Sequence, residues 1–396
     1  LIILINLIKI NKLLIKNNYF YLEKMFLIDS LIIWYITFPI NHFYLFSVHC
    51  LINYILSLYI YKKLYPFYDP KKELIHAKYP DFRRLDKLNY YRLLIGLIVF
   101  VWPRLILFVI CMIVMAIAVN IGKNILDPKD KPWKDRIYQY GSRVILFSLG
   151  NIIPTITLGD LKKVEETYKK YLGPDFKIDY DKKFCTIICN HVSWVETYFC
   201  MYRYASGFIG KLTASKVPAI REMGRYNQTI YVDRTNPDDR KLTAEKIEKR
   251  QRGLMDGTIL TNISIYPEGT ISNGTHLIKF KRGAFMTLLP LKPMVQLIDQ
   301  TAECTLATGA LPMHWHMLLV STYLWNNDTF LDLPIIEPTE YMYEHYQKEG
   351  EEKWMAYMKV TKLIMAECAG LNMTESSFDE KLSYISEILG KKVKNT

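Results

Sequence analysis

Apolar positions fall into two regimes along the chain. Up to about residue 150 they come in long unbroken runs; from about residue 158 they come in short runs between polar stretches. Phe43–Tyr61 is nineteen residues without a formal charge, long enough to cross a bilayer. The run before it, Leu31–Ile40, stops at Pro39, Asn41 and His42 and is too short to span alone. Leu93–Ile121 is the most apolar run, and Pro103-Arg104 divides it. The first piece, about ten residues, cannot span, and an Arg at mid-depth is costly. Both flanks are basic, which predicts a kinked hairpin entering and leaving by one face; the alternative is a single span over Leu105–Ile121. Asp127–Asp135 is polar with two prolines and reads as a linker, and Tyr138–Leu149 reads as an amphipathic helix.

Beyond residue 158 the short runs predict strands at Phe176–Tyr180, Phe184–Cys189, Ile230–Val232, Ile259–Tyr266 and Met294–Ile298. Helices are expected over Trp194–Tyr204, Asp238–Met255 and Gly350–Ala369. The alternation argues for an α/β domain with a mixed sheet flanked by helices, preceded by an N-terminal membrane-embedded helical region. The divisions are 1–24, an extension before the candidate start at Met25; 25–157, the membrane-anchoring region; 158–390, the α/β domain; and 391–396, a basic tail.

Composition and charge sharpen this. Half of the 396 residues are hydrophobic and mean hydropathy is +0.03, between soluble proteins and polytopic transporters. The formal net charge is +12, which favours anionic partners such as lipid headgroups and phosphorylated metabolites. No recognition helix, RNA-binding motif or zinc finger is present, so nucleic acid is not expected. Residues 62–92 carry nine Lys and Arg against four acids, which places that segment on the cytosolic side. Seven scattered cysteines show neither a disulfide framework nor a zinc spacing. His314-Trp315-His316 lacks the further ligands a metal needs, and no metal is expected.

Chemistry concentrates at three strand ends. After Phe184–Cys189 come Asn190 and His191, with Glu196 five residues beyond His191. A neutral imidazole can take a hydroxyl proton, and does so better when a carboxylate holds its other nitrogen. The pairing needs His191 on the loop and Glu196 in the first helical turn. Ser193-Trp194-Val195-Glu196 also has the form of a capping box, which competes for the same carboxylate. Ile259–Tyr266 runs into Pro267-Glu268-Gly269-Thr270, and Lys281 and Arg282 follow as candidate phosphate ligands. A third strand ends in Asp233-Arg234, where Arg234 can grip a phosphate or pair with an aspartate.

Together these segments resemble the glycerolipid acyltransferases. N-H-V-S-W-V-E is similar to that family's N-H-x-x-x-x-D block, with Glu196 where the family usually has Asp. Gly224–Arg234, Tyr266–Thr270 and Pro290–Val295 resemble its next three blocks, in order. T-I-S-N-G and F-K-R-G-A-F point toward its lysophosphatidylcholine and lysophosphatidylethanolamine acyltransferase branch, without EF-hands.

The resemblance implies acyl transfer from acyl-CoA, a co-substrate with no other cofactor, to the free hydroxyl of a lysophospholipid. His191 would be the general base assisted by Glu196, and Arg234, Glu268, Gly269 and Thr270 would bind substrate. The lipid bilayer is the other expected partner; protein partners are unknown. A lysophosphatidate or glycerol-3-phosphate acyltransferase is the alternative, and a catalytically inactive membrane lipid-binding protein is the alternative of another class. The C-terminal Lys392-Val393-Lys394-Asn395-Thr396 fits a retrieval pattern of endoplasmic reticulum membrane proteins, with the α/β domain facing the cytosol.

Overall fold

In the computed structural model, residues 43–125, 131–151, 155–179, 182–233, 236–299, 305–326 and 329–390 are described. The strands are β1 (Thr155–Thr157), β2 (Thr186–Cys189), β3 (Gly207–Lys211), β4 (Ile230–Val232), β5 (Ile263–Ile265), β6 (His276–Leu277), β7 (Leu291–Leu297), β8 (Thr329–Asp332) and β9 (Asn372–Met373). Seven form one mixed sheet in the order β1-β8-β7-β2-β5-β3-β4, while β6 and β9 make a separate pair. The β7–β8 pair is antiparallel and every other neighbouring pair is parallel. Parallel strands need both faces covered, which explains why all four residues of β2 are buried. Helices α6 (Leu161–Leu172), α9 (Pro237–Asp256) and α12 (Lys353–Ala369) contribute to the core on one face. Helices α5 (Lys131–Ser148) and α7 (Glu196–Tyr204) contribute to that on the other.

The predicted strands at 184–189 and 259–266 appear shortened, that at 230–232 has its predicted bounds, and that at 294–298 starts earlier, at Leu291. Phe176–Tyr180 does not: its described residues form no strand. The Phe176 amide closes a turn onto Gly173, and its ring packs, tilted, 4.8 Å from that of Tyr168 of α6. The apolar residue there is used for packing and not for a ladder. The linker is also shorter than expected, because α5 begins at Lys131, ahead of the predicted amphipathic stretch.

The N-terminal region holds α1 (Phe43–Leu64), α2 (Glu73–Lys78), α3 (Tyr90–Gly96) and α4 (Trp102–Ile125). A π-helical turn, Leu97–Val101, joins α3 to α4, so the hairpin expected at Pro103-Arg104 is not formed. The π turn absorbs the amide that Pro103 lacks, and the helix continues. The arginine is satisfied from outside: its guanidinium donates to the carbonyls of Ser321 (3.2 Å), the last residue of α10 (Met313–Ser321), and of Tyr323 and Leu324 (2.6 Å) just past it. Those bonds tie the apolar helix to the α/β domain. Arg104→Leu is expected to lower stability by about 1–3 kcal/mol, because it strands those carbonyls. Unchanged thermal unfolding in detergent would remove that role.

Phe43–Lys78 and Tyr90–Ile121 are both long and apolar enough to cross a membrane by length and composition. On α4, Met112, Met115 and Val119 pack into the domain core, while Ile106, Val109, Ile110, Ile113 and Ile117 face outward. The basic segment between these helices is docked on the domain. Asp81 accepts from His276 Nδ1 at 2.6 Å and from the Thr374 hydroxyl at 2.8 Å, and its carbonyl accepts from the Asn273 amide at 2.8 Å.

Candidate active site

The parallel register brings the carboxyl ends of β2, β5, β3 and β4 to one edge, where the chemistry-bearing residues sit. Asn190 pins the end of β2 to β7. Its amide donates to the Gln296 carbonyl at 3.0 Å and its carbonyl accepts the Gln296 amide at 2.8 Å. His191 follows, with 19% of its side chain exposed, and its Nδ1 bonds Oε1 of Glu196.

Glu196 is fully buried and is the first residue of α7. Its second oxygen, Oε2, accepts the amides of Val192 at 2.9 Å and Ser193 at 3.0 Å. The bond to His191 and the reach back to the Ser193 amide, expected as competitors, are therefore both made, one on each oxygen. Burial pushes the Glu196 carboxyl well above the usual carboxylate range, and the Ser193 and Val192 amides pull it back. A more basic carboxylate is a better acceptor for the Nδ1 proton, and with that proton held, Nε2 is the ring nitrogen that can accept another.

Tyr266 backs the imidazole. The rings stack at 4.4 Å and 13°, and Phe208 lies nearly parallel to Tyr266 with its ring centre 6.4 Å away. Nothing in the local sequence pattern marks this ring as the His191 platform.

Glu268 points inward. Its Oε2 accepts the His191 amide at 2.6 Å and its Oε1 accepts the Ile278 amide at 2.9 Å. The carboxylate braces the backbone that carries His191. Burial pushes it up to about 8 against those two amides. Gly269 follows at φ +64, and a Cβ there would lie 2.6 Å from Lys281 Nζ, so the loop admits no side chain while Lys281 lies along it. Thr270 is buried on the same loop, and the Ser272 amide donates to the His191 carbonyl at 2.8 Å. Arg282 is exposed at the start of a short 3-10 turn and makes no side-chain hydrogen bond among the described residues. Arg234 lies outside the described residues, two positions past the end of β4.

His316, on α10, is buried and accepts the Trp194 indole N–H on Nδ1 at 3.0 Å, which fixes the residue two before Glu196. Burial holds its pKa well below the usual histidine value.

The strand-end edge thus sets a His–carboxylate pair beside the tight P-E-G-T loop. Residues 166–298 match the Acyltransferase family model, so that stretch is an acyltransferase domain.

Among its relatives are three curated proteins. A lysophospholipid acyltransferase of Arabidopsis thaliana is 25% identical over 205 residues, 52% of this chain and 49% of that one. Lysophosphatidylcholine acyltransferase 1 of Homo sapiens is 27% identical over 176 residues, 44% of this chain and 31% of that one. A lysophospholipid acyltransferase of Xenopus tropicalis is 30% identical over 171 residues, 42% and 30% of the two. The chain thus spans half or less of these relatives' own lengths. Among solved structures, a 1-acyl-sn-glycerophosphate acyltransferase of Thermotoga maritima aligns with a TM-score of 0.38 and 14% identity, over 66% of this chain and 96% of that one. That likeness is too distant to bear on the site.

Proposed function

We propose that this protein moves a fatty acyl group from acyl-CoA to the free hydroxyl of a lysophospholipid at a membrane surface. The observation that carries the reading is the His191 Nδ1–Glu196 bond at the strand-end edge. His191 Nε2 takes the acceptor's hydroxyl proton as the oxygen attacks the thioester carbonyl. The C–O bond forms, the C–S bond breaks, and the proton passes to the departing CoA thiolate. Glu196 stabilises the imidazolium between these events. Ser193 Oγ accepts the Val195 amide at 3.1 Å, and no acyl-enzyme is invoked. The lysophospholipid acceptor is favoured by the names of the relatives, and the acyl-CoA donor by the sequence resemblance.

The outward apolar stripe of α4 and the exposed apolar residues of α1 support a site held at the bilayer, where both lipid substrates reside. The bonds that Asp81 of the basic segment 62–92 makes to the domain support a shared side of the membrane. The positive-inside rule favours the cytosol as that side. An acceptor panel with one acyl-CoA tests the reading: product is expected from lysophosphatidylcholine or lysophosphatidylethanolamine. Transfer confined to lysophosphatidate or glycerol 3-phosphate would replace it with the alternative.

Glu268 is assigned here to position His191. Gln at this site keeps one acceptor oxygen but turns an NH₂ toward the other backbone amide. Glu268→Gln is expected to lower kcat by about 10- to 100-fold with little change in acceptor KM. A raised acceptor KM at unchanged kcat would make Glu268 a substrate ligand instead. Its pKa, raised from 4.5 to about 8, also has a stability consequence. The folded state binds the proton more tightly, so this group's stabilisation is complete below about pH 4.5 and falls as pH rises towards 8.

A further inference from the structure

We infer that Tyr266 is a positioning residue of the acyl-transfer site: the face of its ring fixes the plane of the His191 imidazole and stabilises the positive charge which that ring takes on during transfer. The inference deepens the acyltransferase reading and rests on it for the charge that develops.

The imidazole is met from two directions. A hydrogen bond to a ring nitrogen lies near the ring plane, so Glu196 Oε1 holds Nδ1 from the edge. Tyr266 lies against the face, with ring centres 4.4 Å apart and planes within 13° of parallel. A bond at one corner lets a ring swing about it, and a parallel neighbour opposes that swing. The lone pair of Nε2 lies in the same plane, so the plane decides which hydroxyl it can reach. The face of an aromatic ring is also electronegative, and a cation against it is stabilised. Glu196 therefore supports the imidazolium from the edge and Tyr266 from the face.

Tyr266 is itself fixed. It directly follows β5, and its carbonyl accepts the Gly269 amide at 3.0 Å, which closes the turn. The Pro267 carbonyl accepts the Lys281 amide at 2.7 Å. Two residues beyond Tyr266, Glu268 accepts the His191 amide at 2.6 Å. One strand end thus holds both the ring and the backbone of His191. Phe208, from β3, lies within 8° of parallel to Tyr266. The phenol adds little to this. Its oxygen is 3.5 Å from Thr197 Oγ1 and 3.9 Å from Cys200 Sγ, at the outer limit for such bonds. A packing role would be met by any apolar side chain of similar volume, whereas the role inferred here requires an aromatic face.

The test compares wild type, Tyr266→Phe and Tyr266→Leu as purified full chain in detergent, with an acyl-CoA and a lysophospholipid. Tyr266→Leu is expected to lower kcat by about 3- to 30-fold, the range of one cation–ring contact. Both KM values should stay within about twofold, and Tyr266→Phe should turn over like wild type. Tyr266→Met serves as the second non-aromatic variant if Leu loosens the loop. The stack is read separately, by NMR of protein labelled on its histidine rings. The His191 signal, identified by its absence from His191→Ala, is expected upfield in wild type and Tyr266→Phe through the ring current of the neighbouring face, and downfield of that in Tyr266→Leu. Wild-type kcat in both non-aromatic variants, an equal loss in Tyr266→Phe, or a His191 signal that ignores residue 266 overturns the proposal. A wild type with the shifted signal but without turnover overturns the acyltransferase reading, and this role with it.

Discussion

Replacing His191 by alanine is expected to lower acyl transfer by about 10²–10⁴-fold, the range a positioned general base contributes. The fold should survive. Alanine keeps the backbone amide that Glu268 accepts and the carbonyl that Ser272 donates to, so the brace around residue 191 is intact. What is lost is the imidazole, its bond to Glu196 and its stack on Tyr266. An aromatic stack is worth roughly 0.5–1.5 kcal/mol, too little to unfold a domain of this size. Activity of folded His191→Ala within about threefold of wild type would place it outside the range for a lost general base. No activity in either would favour the inactive lipid-binding alternative.

Glu196→Gln carries the second large effect. The carboxylate divides its oxygens between His191 and the amides of Val192 and Ser193. A glutamine has one acceptor oxygen. If that oxygen keeps the two amides, the NH₂ faces Nδ1 and selects the tautomer with its proton on Nε2, which cannot act as the base. If it turns to Nδ1, the amides at the start of α7 are left facing NH₂. Either arrangement removes the charge that stabilises the imidazolium, and a loss of about 10²–10⁴ in kcat is expected, comparable to other His–carboxylate pairs. Glu196→Asp shortens the reach by one methylene and should retain more activity than Gln. The comparison is read as kcat on membranes with matched expression, and a Glu196→Gln enzyme as fast as Glu196→Asp would contradict the role given to the charge.

Much of this site is legible in the sequence because it is local. His191 and Glu196 lie five residues apart at one strand end, and both roles foreseen for Glu196 put it in the first helical turn. Whether they exclude one another depended on which oxygen each partner takes, which is a matter of coordinates. Glu268 shows the limit. A carboxylate at a strand end looks like a ligand, but its partners are the amides of residues 77 positions before and 10 after it.

The fold follows the same division. Strands β2, β5 and β7 announce themselves as apolar runs. β3 does not, since Gly207 and Gly210 give G-F-I-G-K the look of a turn, and its pairing is supplied by β4 and β5. Pro103-Arg104 reads as a break because a proline and a charge interrupt an apolar run. The break is absent because a π turn accommodates one and the carbonyls beyond α10 satisfy the other.

The central claim is tested most directly by following both products of one reaction. Purified wild-type and His191→Ala protein would be given isotope-labelled acyl-CoA and a lysophospholipid, with released CoA thiol and labelled diacyl phospholipid counted together. The wild type is expected to release one thiol for each labelled phospholipid formed, and the variant to form neither above a small residue. Equal formation of the labelled phospholipid by the two proteins, or thiol release by wild type without the phospholipid, would contradict it.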